Sequence, residues 1–361
     1  MKRILFTTGI LLCFVQSLFA ETPFRIVGYY AGNKIPIDSF ETEKLTHLIF
    51  CFGHLEGSRF TLRNAADTAM IRNMVALKKK QHQLKVLLSL GGWSGCATCS
   101  DVFASAENRK QFAESVREVS RYFKTDGIDL DWEYPVVSGF PGHKRSPEDK
   151  SNFTELLKEI RAANGPGFEL SFAAGGYTAY IDSAIAWNDV VPLVDFINVM
   201  TYDLVHGYST SGGHHTPLYS TNFQRESVDH AVTLLHEKGV PPEKIVIGCG
   251  FYGRMFSVDS GYPVGLYQPG AFLHTFRHRD IRDSLSSENG FEIMWDKQAA
   301  APFAINESRR ILATYDDEQS VALKTEYALN RDLGGIMFWQ LCDDRFRGGL
   351  LNTIWQNANG K

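Results

Sequence analysis

The sequence of 361 residues has no excess of charge of either sign, because 37 Lys and Arg face 41 Asp and Glu, a formal net charge of −4. A balance this close to neutral gives no electrostatic reason to bind a polyanion, so we expect no nucleic-acid partner. Collagen-like repeats and disordered tails are absent from the sequence as well. With 44% apolar and 22% charged residues, the composition is that of a globular protein able to bury a substantial core.

Long apolar runs are confined to the first twenty residues. A basic start at residues 1–3 precedes a mostly apolar stretch at 4–19, and Ala20 stands before Glu21. This pattern predicts a secretory signal peptide, residues 1–20, whereas the short length and the interruptions at Thr7, Thr8 and Gln16 disfavour a membrane helix. We therefore expect a secreted protein, extracellular or periplasmic, with no transmembrane segment after signal removal.

Cysteine is sparse, with six residues in the chain. Cys96 and Cys99 could form a disulfide-closed loop, half of a metal site or a redox pair. No second Cys or His pair stands at metal-ligand spacing, so we favour the loop disulfide and predict neither a metal nor a cofactor. Cys51 and Cys249 lie inside apolar runs, where a free cysteine behaves as a small core residue.

Short apolar runs alternate along the chain with amphipathic stretches that have a helical period. Strands alternating with helices indicate right-handed crossovers and a parallel sheet, and eight such units predict a closed (β/α)₈ TIM barrel. A doubly wound sheet is disfavoured because no glycine-rich phosphate loop follows the first run. The eight predicted strands are 25–30, 47–52, 85–90, 127–131, 169–174, 196–200, 245–250 and 335–339.

No linker rich in Ser, Pro and Gly divides the chain, so residues 21–361 are predicted to form one catalytic barrel. The alternation is broken between residues 254 and 301, in a stretch longer than one loop and rich in aromatics and glycine. We interpret residues 255–301, approximately, as a small α+β insertion after the seventh strand.

Three acids recur at alternate positions of the fourth predicted strand, in the run DGIDLDWEYP at 126–135. Side chains of a strand alternate between faces, so Asp129, Asp131 and Glu133 share one face at a spacing of about 7 Å along the strand. Acids crowded in this way cannot all ionise cheaply, so at least one proton is shared or retained. A carboxylic acid that holds its proton near neutral pH can act in general acid catalysis.

Two other interpretations of these acids are a cation site and a solvated strand face. A cation cage needs ligands that converge from a turn, whereas strict alternation spreads them in a line. The apolar residues between the acids are those of a strand buried on its other face. Both interpretations are therefore disfavoured.

The acidic run resembles the DxxDxDxE motif of family 18 glycoside hydrolases, which include chitinases and endo-β-N-acetylglucosaminidases. Four further motifs resemble that family in their usual order along the chain. They are SLGGW at 89–93, MTYD at 200–203, FYGR at 251–254 and GGIMFW at 334–339. The segment from 254 to 315 resembles the insertion that walls the cleft in many members, although it is short.

The resemblance implies a substrate-assisted mechanism in which the acetamido group of N-acetylglucosamine is the nucleophile and the product retains its β configuration. Glu133 would be the general acid and base, and Asp131 would orient the acetamido N–H. Asp129 would share a proton with Asp131. Tyr202 would donate to the acetamido carbonyl, and Asp203 would bind the distorted sugar.

The resemblance also implies residues that contact or support the sugar. Trp339 would form the apolar floor, Trp93 and Arg254 would contact the sugar beside the cleavage point, and Tyr29 and Ser89 would support the buried Asp pair. Independently of the resemblance, His214 and His215 lie in a loop rich in Gly and Ser, where we expect them to be solvated or at a sugar edge. The candidate substrate-binding residues are thus Trp339, Asp203, Tyr29, Ser89, Trp93, Met200 and Arg254.

The implied activity is hydrolysis of β-1,4-linked N-acetylglucosamine in chitin or chitooligosaccharides. Two alternatives stay open: an endo-β-N-acetylglucosaminidase acting on N-glycan cores, and a non-catalytic chitin-binding lectin. Family members that bind without cutting typically lose the last acid of the motif, and Glu133 is present here. The residues that would separate chitin from an N-glycan core lie in the cleft walls rather than in the motif.

Overall fold

The computed structural model describes residues 24–32 and 35–360, so the predicted signal peptide at 1–20 lies outside the described residues. The strands are β1 Arg25–Tyr30, β2 His47–Glu56, β3 Arg59–Thr61, β4 Lys85–Gly91, β5 Gly127–Asp131, β6 Glu169–Gly175, β7 Phe196–Met200, β8 Ile245–Gly250, β9 Tyr252–Ser257, β10 Phe272–Arg277, β11 Glu292–Asp296, β12 Ala301–Asn306, β13 Ile311–Thr314 and β14 Gly335–Trp339. The helices are α1 Ala65–Leu77, α2 Cys99–Phe103, α3 Ala106–Phe123, α4 Asp149–Asn164, α5 Thr178–Ser183, α6 Trp187–Val190, α7 Val228–Glu237, α8 Ile281–Ser284, α9 Glu318–Asn330 and α10 Leu350–Asn359.

Eight parallel strands form a closed barrel, which confirms the predicted (β/α)₈ architecture. Their order is β1-β14-β8-β7-β6-β5-β4-β2, and pairing of β1 with β2 closes the ring. All eight predicted strands are present, and β2 runs on to Glu56 because it forms an antiparallel hairpin with β3.

Alternation along the strands separates two buried layers. Val27, Ile49 and Phe196 belong to a small core inside the barrel. The intervening residues, such as Ile128 and Leu130 of β5, pack outward in the large core that includes the helices. This division confirms that the apolar face of β5 points away from the barrel interior, which leaves its acids facing inward.

Polar side chains cap the longer helices, as their sequences favour. The side chains of Asn64, Ser105 and Ser227 accept hydrogen bonds from backbone N–H groups of the first turns of α1, α3 and α7. Asp317 and Ser320 form a capping box at the start of α9. Among the helices described, none combines the length and apolarity that crossing a membrane requires.

A second sheet of five antiparallel strands follows the barrel strand β8. Its order is β10-β9-β13-β12-β11, so its strands run from Tyr252 to Thr314. The sheet is longer than the insertion expected at about 255–301, because β13 pairs with β9 and β12 pairs with β13 before the chain enters α9. It stands over the carboxyl ends of the barrel strands and forms one wall of the cleft.

Candidate active site

Asp129 lies at the centre of a buried hydrogen-bond cluster beneath the cleft. Its side chain is fully buried, and it accepts hydrogen bonds from the hydroxyls of Tyr29 (3.0 Å), Ser89 (3.0 Å) and Ser171 (2.7 Å) and from the amide of Asn198 (3.1 Å). Burial raises the pKa of Asp129, and these four hydrogen bonds oppose the rise. Both carboxylate oxygens thus have partners on neighbouring strands, and neither is hydrogen-bonded to Asp131.

Asp131 and Glu133 lie above this cluster and line the cleft. Burial raises the pKa of Asp131 well above its ordinary value, and the negative charges of Glu133 and Asp129 raise it further. The pKa of Glu133 is raised to about 7, chiefly by burial. A hydrogen bond with Tyr134 lowers this pKa, and the charge of Asp203 raises it. The site therefore contains a carboxylic acid that keeps its proton close to neutral pH.

Asp203, by contrast, is kept ionised by residues of the cleft wall. The Arg254 guanidinium donates from Nε to Oδ1 at 2.6 Å and contacts Oδ2 at 2.5 Å, and the Tyr252 hydroxyl donates to Oδ1 at 2.6 Å. Burial raises the pKa of Asp203, but the neighbouring His215 and Arg254 outweigh burial and hold it well below its ordinary value. Asp203 is thus a fixed anion at the end of β7, next to Tyr202.

Aromatic rings form the floor and one end of the cleft. The indole of Trp339 stacks on Phe52 with a centroid distance of 5.6 Å and an interplanar angle of 16°. Trp93 is 41% exposed and its ring meets Phe140 and Tyr208 at 5.8 and 6.4 Å. Both indoles thus present apolar aromatic surface to the cleft.

These residues share one cleft of about 1570 Å³ at the carboxyl ends of the barrel strands. It brings together most of the predicted site residues, namely Asp131, Glu133, Tyr202, Asp203, Trp93, Met200, Arg254 and Trp339. Tyr29 and Ser89, counted above with the substrate-binding residues, do not line it. They lie beneath the cleft and donate to Asp129, because their strand positions face the closed interior of the barrel.

Sequence reasoning missed three side chains that hold the acids in place. Ser171 on β6 and Asn198 on β7 donate to Asp129, and Tyr252 on β9 donates to Asp203. Ser171 and Asn198 could have been identified from the sequence, since both are polar residues at inward positions of otherwise apolar strands. Tyr252 lies in the FYGR motif at 251–254, but its role could not be assigned, because its contact with Asp203 depends on how the second sheet sits on the barrel.

The expectation that His214 and His215 are solvated or at a sugar edge is wrong. Both side chains are buried, since the loop folds back under the second sheet. The His214 Nε2 lies 3.1 Å from Asp296, and the His215 Nδ1 lies 3.7 Å from Asp203.

The loop after Trp93 is closed by a disulfide between Cys96 and Cys99, as the sequence favoured. Cys51, Cys249 and Cys342 are buried, and among the residues that the structure describes they form no disulfide. Across the described ranges, no group of three or more His, Cys, Asp or Glu side chains is arranged to hold a metal ion.

A parallel barrel with acids at its carboxyl-terminal mouth has the architecture of (β/α)₈-barrel enzymes. The model of Glycosyl hydrolases family 18 matches residues 25–344, and the chain belongs to that family. The match spans β1 to the segment after β14, so it includes the whole barrel and the second sheet.

Known members of the family are similar along most of the chain. Chitinase A1 of Niallia circulans is 34% identical over 304 residues, which are 76% of this chain and 43% of that protein. This chain therefore spans less than half the length of that relative. An N-acetylglucosaminidase of family 18 from Paenibacillus barengoltzii is 33% identical with a TM-score of 0.82, and the match covers 92% of this chain and 99% of that one.

A further solved structure contains an oligosaccharide. Catalytic domain 2 of the Ostrinia furnacalis Group II chitinase, as a mutant in complex with (NAG)5, is 28% identical to this chain. Its TM-score is 0.85, and the match covers 94% of this chain and 97% of that one.

Proposed function

We propose that this protein hydrolyses β-1,4-linked N-acetylglucosamine in chitin or chitooligosaccharides, with retention of configuration and assistance from the substrate's own acetamido group. The observation that supports this most directly is the line of acids on one strand, Asp129, Asp131 and Glu133, of which the last two face the cleft. The relatives named as chitinases and the family member solved with (NAG)5 support the choice of substrate.

Glu133 is the proposed general acid. A group that protonates the glycosidic oxygen must hold a proton at the pH of the reaction, and the raised pKa of Glu133 meets this condition. Once the leaving group has departed, the same carboxylate accepts a proton from water in the second step.

Asp131 and Tyr202 are proposed to hold the acetamido group. The Asp131 Oδ1 is buried and has no hydrogen-bond partner among the described residues, so it is available to accept the acetamido N–H. Tyr202 lines the cleft near the end of β7, and its hydroxyl makes one long contact, 3.8 Å, with the Met337 sulfur. In this proposal the acetamido oxygen attacks the anomeric carbon while Asp131 stabilises the developing positive charge.

The experiment is turnover of chitotetraose by the purified protein and by Glu133→Gln. We expect kcat to fall by about two to four orders of magnitude in the variant, because the amide cannot protonate the leaving oxygen. Glu118→Gln, a surface acid paired with Arg59, is the matched control and should turn over as the unaltered protein does. Full turnover by Glu133→Gln would overturn the assignment.

Product analysis on colloidal chitin, chitooligosaccharides and a high-mannose glycopeptide separates the alternatives. Oligosaccharide products from the first two substrates support the proposal. Release of the glycan alone would replace it with an endo-β-N-acetylglucosaminidase, and binding of chitin without any product would replace it with a lectin.

We also propose that the protein is exported. The pattern of residues 1–20 supports this, and so does the Cys96–Cys99 disulfide, because disulfides persist mainly in oxidising compartments.

A further inference from the structure

His215 lies directly behind Asp203, on the side away from the cleft. Its side chain is fully buried, and its Nδ1 is 3.7 Å from the Asp203 Oδ1. This distance is too long for a hydrogen bond, but it is short enough for the dipole of a neutral ring, or the charge of a protonated one, to attract the carboxylate. Neither ring nitrogen has a hydrogen-bond partner among the residues described. A buried imidazole with two free nitrogens next to an anion of the site needs an explanation beyond packing.

The position of the His215 ring is fixed by its surroundings. The backbone carbonyl of His215 accepts from Leu204 N–H at 3.0 Å, and its N–H donates to the Thr314 hydroxyl at 3.3 Å. The ring packs against Tyr252 with a centroid distance of 5.2 Å. On another side, a Cβ added at Gly250 would lie 2.8 Å from the ring, so this position has room only for glycine. These contacts hold the ring next to Asp203.

Few charged or titratable groups face this imidazole. They are Asp203 and Arg254 on the cleft side, the Tyr252 hydroxyl group on β9, and Asp316, whose carboxylate is paired with Lys324 at 2.7 Å. Burial lowers the pKa of His215 below its ordinary value; Asp203 and Asp316 oppose this lowering and Arg254 adds to it. The ring is thus neutral at neutral pH, and a proton taken up in acid would lie beside the Asp203 carboxylate.

We propose that His215 is a positioning residue for Asp203: the neutral ring fixes the carboxylate in the cleft wall, and a protonated ring draws it away from the substrate. The proposal rests on the proposed function, because it assigns Asp203 a contact with the sugar. Its effect reaches Glu133 as well, since the charge of Asp203 contributes to the raised pKa of that acid.

The first test needs no turnover. NMR titration of the His215 imidazole in the full chain measures its pKa, and Asp203→Asn removes the neighbouring anion. We expect the pKa of His215 to fall by roughly 1–3 pH units in the variant, because an opposite charge at this distance favours the protonated ring. A His215 pKa that is the same in both proteins would overturn the proposed coupling, whether or not the protein cleaves chitin.

The second test is kinetic and uses the neighbouring histidine as a matched control. His215→Asn keeps a neutral polar group near the place of Nδ1 but cannot titrate, so the acid limb of kcat/KM on chitotetraose should move to lower pH. His215→Leu removes the polar group that faces Asp203 and should lower kcat/KM at neutral pH by about tenfold to a hundredfold. His214→Asn, which loses a buried contact with Asp296 instead, should keep the original pH profile.

A double-mutant cycle distinguishes positioning from a general loss of structure. In the Asp203→Asn background, His215→Leu should cause little further loss of kcat/KM, because the residue it positions is already altered. The inference would be overturned if the losses were fully additive. It would also be overturned if the acid limb of kcat/KM lay at the same pH in His215→Asn and in His214→Asn. Neither result would affect chitin hydrolysis by the unaltered protein. Absence of hydrolysis by the unaltered protein would instead overturn the proposed function.

Discussion

At the scale of single residues, the surroundings set different charge states for acids of the same type. Asp129 is surrounded by four donors, Asp131 has neighbouring negative charges, and Asp203 is bound by a guanidinium. The pKa of Asp131 and Glu133 is raised, whereas that of Asp203 is lowered. This divergence between neighbouring acids is typical of catalytic sites.

The raised pKa of Glu133 predicts an alkaline limit to activity. The general acid must be protonated, so kcat/KM should decline as the pH rises through about 7, the pKa of Glu133. The measurement is kcat/KM for chitotetraose between pH 4 and 9 at constant ionic strength, with circular dichroism at each pH to show that the protein stays folded. A profile that is flat on the alkaline side to pH 9 would contradict this role for Glu133.

At the scale of elements, a buried ion pair joins α9 to the end of β8 and to the loop after β7. Lys324 on α9 donates to both oxygens of Asp316 at 2.7 Å and to the Thr216 hydroxyl at 2.6 Å. Asp316 also accepts from the backbone N–H of Gly250 at 3.1 Å, and Thr216 donates to the carbonyl of Thr201 at 3.0 Å. Elements that position Tyr202, Asp203 and Tyr252 are thus tied together behind the cleft.

Breaking this pair should destabilise the whole protein. Lys324→Met leaves the Asp316 carboxylate buried without its cation, and we expect the free energy of unfolding to fall by about 3–5 kcal/mol. Urea unfolding monitored by fluorescence measures the change. Lys238→Met, which removes a cation paired with Asp182 at the surface, is the control and should cost less than about 1 kcal/mol. Equal losses in the two variants would argue against the role of the buried pair.

At the scale of the whole molecule, the closed barrel and the second sheet together form the cleft. The barrel supplies the acids from β5, and the second sheet supplies Tyr252, Arg254 and Phe272 from the other side. Each part alone would leave the acids on an open surface. The cleft thus lies between the mouth of the barrel and the second sheet.

Export can be tested on the whole chain. If residues 1–20 are a signal peptide, the protein recovered from the medium or periplasm of an expressing bacterium should begin at Glu21. Amino-terminal sequencing gives the answer, and replacing the apolar residues of 4–19 with polar ones should keep the chain in the cytoplasm. A secreted protein that still begins at Met1 would contradict cleavage after Ala20.

Much of the fold and of the site could be predicted because it depends on local patterns. The apolar runs gave all eight barrel strands, and the period of two placed Asp129, Asp131 and Glu133 on one face. Alternation follows from the geometry of a single strand, so no tertiary information is needed. The extent of the second sheet was harder to predict, since β13 joins the sheet by pairing with β9, and β12 joins it by pairing with β13.

The sequence by itself therefore determined the barrel, the row of acids and the motifs of the family. Only the tertiary structure decided the surroundings of those acids: the four donors around Asp129, the clamp of Tyr252 and Arg254 on Asp203, and the burial of His215 behind it. The physical reason is the separation along the chain between the residues that set each property. Strand alternation and helical period are properties of neighbouring residues, whereas burial and charge neighbours, which set a pKa, arise between segments far apart in the chain.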